Sequence, residues 1–136
     1  EEPIVPAEEK PAQKRRILIM DDESTILAVT TRMLTRAGYE VKTTKHGAEA
    51  VAAFSQAMEE QAPFDLVILD LTIPGGMGGR DAFLHLQALD PNVRALVASG
   101  YSDHTLSETL ALGFAGMVPK PFTVNELLGA VREALG

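Results

Sequence analysis

Asp21, Asp22, Asp70, Ser99 and Lys120 each stand at or just past the end of a short apolar run. Ile17-Leu18-Ile19-Met20 passes directly into Asp21-Asp22-Glu23, and Leu66-Val67-Ile68-Leu69 stops at Asp70. Arg94–Ala98 stops at Ser99, and Phe114–Val118 is followed by Pro119-Lys120-Pro121. Taken singly, each has a plain explanation: Asp70 as a cap or turn residue, and the three consecutive acids as charges favoured by the dipole at a helix N-terminus. Taken together, three carboxylates, a hydroxyl and an ammonium suit phosphoryl transfer to an acid. Asp22 and Asp70 can hold a hard cation such as Mg²⁺ (or Mn²⁺), which prefers carboxylate oxygens and keeps several waters, and Asp21 would help through a bound water. The cation would offset the repulsion among the acids and neutralise charge on an incoming phosphoryl group. Asp70 could then attack phosphorus to give an acyl phosphate, with Lys120 supplying a point charge and Ser99 a hydrogen bond to the phosphoryl oxygens.

For these groups to meet, the apolar runs must lie side by side and point the same way. Runs of four or five aliphatic residues bounded by turn signals suit strands buried on both faces of a parallel sheet. Between them lie segments of helical period. Ile26, Leu27, Thr30, Met33, Leu34 and Ala37 mark one face, ended by Gly38. After a short strand at Tyr39–Thr44, a helix over Gly47–Glu60 would turn Ala48, Val51, Ala52, Ser55 and Met58 to the core. Arg80–Leu89 follows with Phe83, Leu86 and Leu89, then Tyr101–Leu112 with Leu106 and Leu110, capped by Gly113. The last helix starts at Thr123 or Asn125 and has Val124, Leu127, Leu128, Val131 and Leu135 on one face. Strand and helix thus alternate five times, which implies an α/β domain with a parallel sheet covered on both sides. In such sheets ligands bind at the carboxyl ends of the strands. The backbone of Gly75–Gly79 would let a loop approach that edge closely, and Lys120-Pro121 is a candidate cis peptide.

The length is that of one domain. Residues 1–14, with Pro3, Pro6 and Pro11 among charges and alanines, read as a linker or arm, and 15–136 as the domain. The first sixteen residues balance in charge, so the rest of the chain carries the whole net charge of −7. That argues against direct nucleic-acid binding, which wants a basic face. The absence of cysteine excludes a disulfide framework and a thiolate metal site. No apolar run approaches the roughly 18 residues of a membrane span, and the N-terminus lacks the apolar stretch of a signal peptide. A cytoplasmic protein is the expectation.

The motifs ILIMDDE, LVILDLTIPGGMGG, ALVASGYSD and PKPF, at these spacings, resemble the receiver domains of bacterial two-component response regulators, over about Arg15 to Gly136. The resemblance implies a (βα)5 doubly wound five-stranded parallel sheet with flavodoxin-like strand order 2-1-3-4-5. It implies that Asp70 accepts a phosphoryl group from the phosphohistidine of a histidine kinase or phosphotransfer domain. Mg²⁺ would be bound by Asp21, Asp22, Asp70 and the Thr72 carbonyl. Ser99 would then shift toward the phosphoryl group and bias a two-state face of helix four, strand five and helix five. Such a domain is a signalling module with its own phosphorylation and dephosphorylation chemistry, not a conventional enzyme, and homodimerisation stays open.

Two features depart from the family pattern. Met117 stands where an aromatic often sits, three residues before the lysine, and the loop after Asp70 reads GGMGG, one residue longer than usual. The IPGGMGG form with ASGYSD resembles receivers at the C-terminal end of hybrid sensor histidine kinases, and the proline-bearing arm agrees with a tether. Thr72 and Tyr101 are expected to tune the phosphoryl lifetime. His46, His85 and His104 read as surface or helix residues. Two rivals stand beside the main reading: a receiver-like interaction module that takes no phosphate, and an aspartyl-nucleophile Mg²⁺ phosphatase. The second would need an Asp where Thr72 stands.

Overall fold

A strand whose two faces are both apolar must be covered on both sides, and the central strands of this chain are of that kind. The computed structural model describes residues 14–71, 78–99 and 106–136. In chain order these form β1 (Arg16–Met20), α1 (Ser24–Arg36), β2 (Glu40–Thr44), α2 (Gly47–Glu59), β3 (Leu66–Asp70), α3 (Gly79–Leu89), β4 (Ala95–Ser99), α4 (Leu106–Ala111), β5 (Gly116–Pro119) and α5 (Val124–Leu135). The five strands pair in parallel in the order β2-β1-β3-β4-β5. This is the doubly wound sheet expected.

Side chains alternate across the sheet, and the alternation divides the core into two layers. Ile17 and Ile19 of β1 and Leu66 and Ile68 of β3 pack with Leu27 and Leu34 of α1 and Leu127 and Val131 of α5. Leu18, Met20, Val67 and Leu69 face the other way, onto Ala50 and Phe54 of α2 and Ala82, Phe83 and Leu86 of α3. All five residues of β3 are buried. Each fully buried aliphatic side chain stabilises the fold by roughly 1.5–3 kcal/mol, so β1 and β3 are the rigid centre. Capping fixes the helix ends. Thr123 and Glu126 form a reciprocal capping box that starts α5, Arg94 donates to the Leu135 carbonyl at its other end at 2.8 Å, and Gly38 closes α1 at φ +99°. The Lys120–Pro121 bond is cis.

Several helix faces differ from the expectation. The buried residues of α2 are Gly47, Ala50, Phe54 and Ala57, whereas Ala48, Ala52 and Met58 are exposed. The helix is rich in alanine, so two helical stripes compete, and the one bearing Phe54 wins because an aromatic ring removes far more apolar area from water than alanine does. Its ring stacks on Phe64 at 6.4 Å between centroids. Leu89 and Val124 lie outward at 38% and 46% exposure, and Leu110 at 48%. Ala37 caps α1 instead of packing within it. β5 begins at Gly116, later than the apolar run suggests, and α3 begins at Gly79 with Gly78 as its N-cap. The described part of the fourth helix is Leu106–Ala111, and the expectation for the five residues before it lies outside the described residues.

These opposite faces of α2 can be told apart by unfolding. Phe54→Ala should cost about 3–5 kcal/mol, and Ala52→Ser less than about 0.5 kcal/mol. Urea unfolding followed by circular dichroism measures both, and equal losses would contradict the observed packing.

Candidate functional site

The chain order of the sheet reverses direction between β1 and β3, and their carboxyl ends form the crevice where open α/β sheets bind ligands. Asp21 follows β1 and Asp70 closes β3. Asp21 is held twice. Its amide donates to the Thr44 carbonyl at 3.1 Å, and its Oδ1 accepts from the Glu23 amide at 3.0 Å. The Thr44 hydroxyl in turn donates to the Ile19 carbonyl at 2.8 Å, tying the end of β2 to β1. Nothing in the sequence singles out Thr44, although a threonine at a strand end next to an acidic pair is the kind of residue that takes this role.

Asp21 and Asp70 are buried, at 3% and 6% exposure, while Asp22 is exposed. One carboxylate oxygen from each of the three can be chosen so that all lie within 4.8 Å of one another. Two buried acids so close repel unless positive charge is near. Lys120 supplies it. From the end of β5 it reaches across the end of β4, since β5 and β3 are two strand spacings, roughly 10 Å, apart. Its Nζ donates to Asp21 Oδ2 at 2.9 Å and lies 3.6 Å from Asp70 Oδ2 and 4.0 Å from Glu23 Oε1. Burial pulls the pKa of this ammonium down, but the hydrogen bond to Asp21 and the charges of Asp70, Asp21 and Glu23 outweigh it and leave the pKa above the ordinary lysine value. A cation with a raised pKa contributes stability that is fully present below its unfolded-state pKa and lost only as pH rises through the raised value. Lys120 is therefore charged throughout the neutral range.

Asp21, Asp22, Asp70 and Lys120, picked out by sequence, thus meet at one edge. Ser99 ends β4 at the same edge, with its backbone opposite Pro119 in the sheet register. Thr72 and Tyr101 lie outside the described residues, as do Gly75 and Gly76 of the glycine loop. The part of that loop that is described supports a close approach. A Cβ built on Gly79 would sit 2.5 Å from the carbonyl oxygen of Asp70, so the first turn of α3 rests directly on the backbone of Asp70. His46 caps α2, its Nδ1 accepting from the Glu49 amide at 3.4 Å. His85 is exposed on α3, and His104 lies outside the described residues.

The donor set fits a hard divalent cation, because it is all oxygen, with the exposed Asp22 leaving room for retained waters. The arrangement is one in which a carboxylate at the end of a buried strand faces an ammonium and a site for a cation. No helix among the described residues is long and apolar enough to cross a membrane.

Comparison with known proteins points to one family. The family model for the response regulator receiver domain matches residues 17–132. The chain is 29% identical over 121 residues to sporulation initiation phosphotransferase F of Bacillus subtilis, covering 88% of this chain and 93% of that protein. It is 31% identical to the chemotaxis protein CheY of Thermotoga maritima, covering 88% of this chain and 96% of that one. Among solved structures, CheY of Borrelia burgdorferi, in a complex with CheX, BeF3 and Mg, superposes with a TM-score of 0.80 at 24% identity over 90% of both chains.

Gly79→Ala tests the seat under Asp70. The added methyl cannot fit without moving the strand end or α3, so a loss of about 1–3 kcal/mol in urea unfolding is expected. An unchanged midpoint would show that the two elements do not bear on each other.

Proposed function

The chain belongs to the response regulator receiver domain family, and on that premise we propose that Asp70 is the residue that takes the phosphoryl group. A receiver domain is a phosphoacceptor in two-component signalling, and domains of this family work with histidine kinases or phosphotransfer proteins. The observation that carries the assignment to Asp70 is the position of Lys120, whose ammonium lies 2.9 Å from Asp21 and 3.6 Å from Asp70.

A carboxylate oxygen of Asp70 attacks phosphorus in line with the bond to the donor nitrogen. The new P–O bond forms as the P–N bond breaks, and its electron pair leaves on the imidazole of the donor. Lys120 offsets charge on the phosphoryl oxygens and stays protonated throughout. Asp21, Asp22 and Asp70 would hold Mg²⁺, with the Thr72 carbonyl as a further ligand, and a bound divalent cation supplies neutralisation of the carboxylates and the phosphoryl group. Ser99, at the end of the intervening strand, would give a hydrogen bond to the product. Its shift would couple the site to α4, β5 and α5. The arm and the GGMGG loop fit a receiver joined to a hybrid sensor kinase.

Incubation with acetyl phosphate and Mg²⁺ should add one phosphoryl group to the intact chain, read by mass spectrometry. Asp70→Asn and chelation with EDTA should each abolish the adduct, and Lys120→Met should slow its formation by about 10²–10³-fold. An adduct that survives Asp70→Asn would overturn the assignment. No adduct on the unaltered chain, under conditions that label another receiver, would favour a module that takes no phosphate. Rapid turnover of unrelated phosphoesters would favour the phosphatase.

A further inference from the structure

Away from the acidic edge, α1 and α5 bound an apolar groove of about 360 Å³. Val29, Met33, Ala37, Val124 and Leu128 line it together with Arg32 and Arg36. Val29 and Val124 are 41% and 46% exposed, an unusual surface position for branched aliphatics on neighbouring helices. Arg32 and Arg36 are the only charged side chains in α1, on a chain whose net charge is −7. An occupant that satisfies this lining carries apolar side chains flanked by acids.

The chain itself contains such a segment. Residues 1–9 read EEPIVPAEE: two branched aliphatics between prolines, two acids on each side, and no base. The prolines restrict the free segment and so reduce the entropy lost on ordering it. The segment also reaches. The Glu40 amide donates to the Arg15 carbonyl at 2.9 Å, so the arm joins the domain three residues along the chain from Ala37, at one end of the groove. Val5 lies ten residues before Arg15, a span of up to about 33 Å when extended, whereas the stretch of α1 from Val29 to Ala37 is roughly 12 Å long. A short tether keeps the Ile4-Val5 segment at an effective concentration in the millimolar range, enough for weak contacts to hold it.

We propose that the Ile4-Val5 segment docks within its own chain into the α1/α5 groove, with Glu1, Glu2, Glu8 and Glu9 paired to Arg32 and Arg36. The docked arm covers the outward strip of α1, the helix that begins directly after Asp21, Asp22 and Glu23. This contact requires no phosphoryl chemistry, so it stands or falls independently of Asp70.

Because the chain has no cysteine, Ala7→Cys provides a single attachment point for a nitroxide on the full chain. Amide signals of Val29, Met33, Val124 and Leu128 should lose most of their intensity relative to the reduced label. Arg32→Glu with Arg36→Glu should restore them, and adding Glu8→Lys with Glu9→Lys should broaden them again. Ile4→Asp with Val5→Asp should also restore them, and because these residues precede the fold, release there cannot come from unfolding. Broadening that survives either of the two releasing pairs, Arg32→Glu with Arg36→Glu or Ile4→Asp with Val5→Asp, or that falls off only with distance from Arg15, would overturn the proposal. So would equal broadening when the nitroxide sits only on a second copy that carries no ¹⁵N, mixed with ¹⁵N-labelled chain free of nitroxide, which would assign the groove to association between chains.

Discussion

Everything at the functional edge depends on keeping Asp21 and Asp70 charged while they are buried next to each other. Three carboxylates converge there with one ammonium, which leaves a formal excess of two negative charges once the mostly exposed Glu23 is set aside. An excess of that size is costly at low effective dielectric, and a divalent cation would cancel it. By the same imbalance, an incoming phosphoryl group would need a cation at the site. Lys120 alone leaves the edge repulsive to phosphate; with both positive groups in place the edge becomes receptive. Lys120 partly neutralises the acids of the resting site and, on the proposed reading, would offer a charge that stays in place as a bond to phosphorus forms.

The fold serves that electrostatic problem by fixing backbone, because carboxylates on mobile loops would drift apart. β1 and β3 are buried on both faces, and their ends carry the acids. Thr44 clamps the backbone just before Asp21 to the neighbouring strand. Gly79 lets α3 press on the carbonyl of Asp70, so the phosphoacceptor candidate is held from below by its strand and from beside by a helix start. At the opposite edge of the sheet Arg16 makes a comparable clamp: its amide donates to Asp65, its Nε to Glu40 and its guanidinium to the Ala62 carbonyl, while the same group lies over the Phe64 ring at 4.5 Å. That cluster ties β1, β2 and the approach to β3 together without taking part in the chemistry.

The residues that sequence made legible are those with no alternative partner. A run such as Leu66–Leu69 can be satisfied only between two apolar layers, and an acid that ends it can only emerge at the sheet edge. Asp21, Asp22, Asp70 and Lys120 were therefore readable as a group. Helix faces were less so. In α2 the stripe through Val51 and Met58 and the stripe through Ala50 and Phe54 have the same period, and only the facing sheet decides between them. Leu89 and Val124 failed for a related reason: each continues a helical pattern to its terminus, where the helix has already left the core. Thr44 and the seat at Gly79 were hidden because they act through backbone groups of residues distant in sequence, and such contacts leave no local pattern.

The elements beside the site are not equally anchored, and that inequality decides where a change at the edge can be expressed. α5 buries Leu127, Val131 and Leu135, carries a full capping box and is tied by Arg94 at its C-terminus. In the described part of α4, Leu106–Ala111, Leu110 is half exposed, and the buried Thr109 meets β5 through a hydroxyl-to-sulfur contact of 3.9 Å with Met117. A sulfur acceptor is weak and its side chain has several rotatable bonds, so this junction can rearrange at little cost. Met117, on β5, lies three residues before Lys120, which follows the strand directly. Contacts that are weak and adaptable are the cheapest to change, so the Thr109–Met117 junction is the point among the described residues where a change at the acidic edge would meet least resistance.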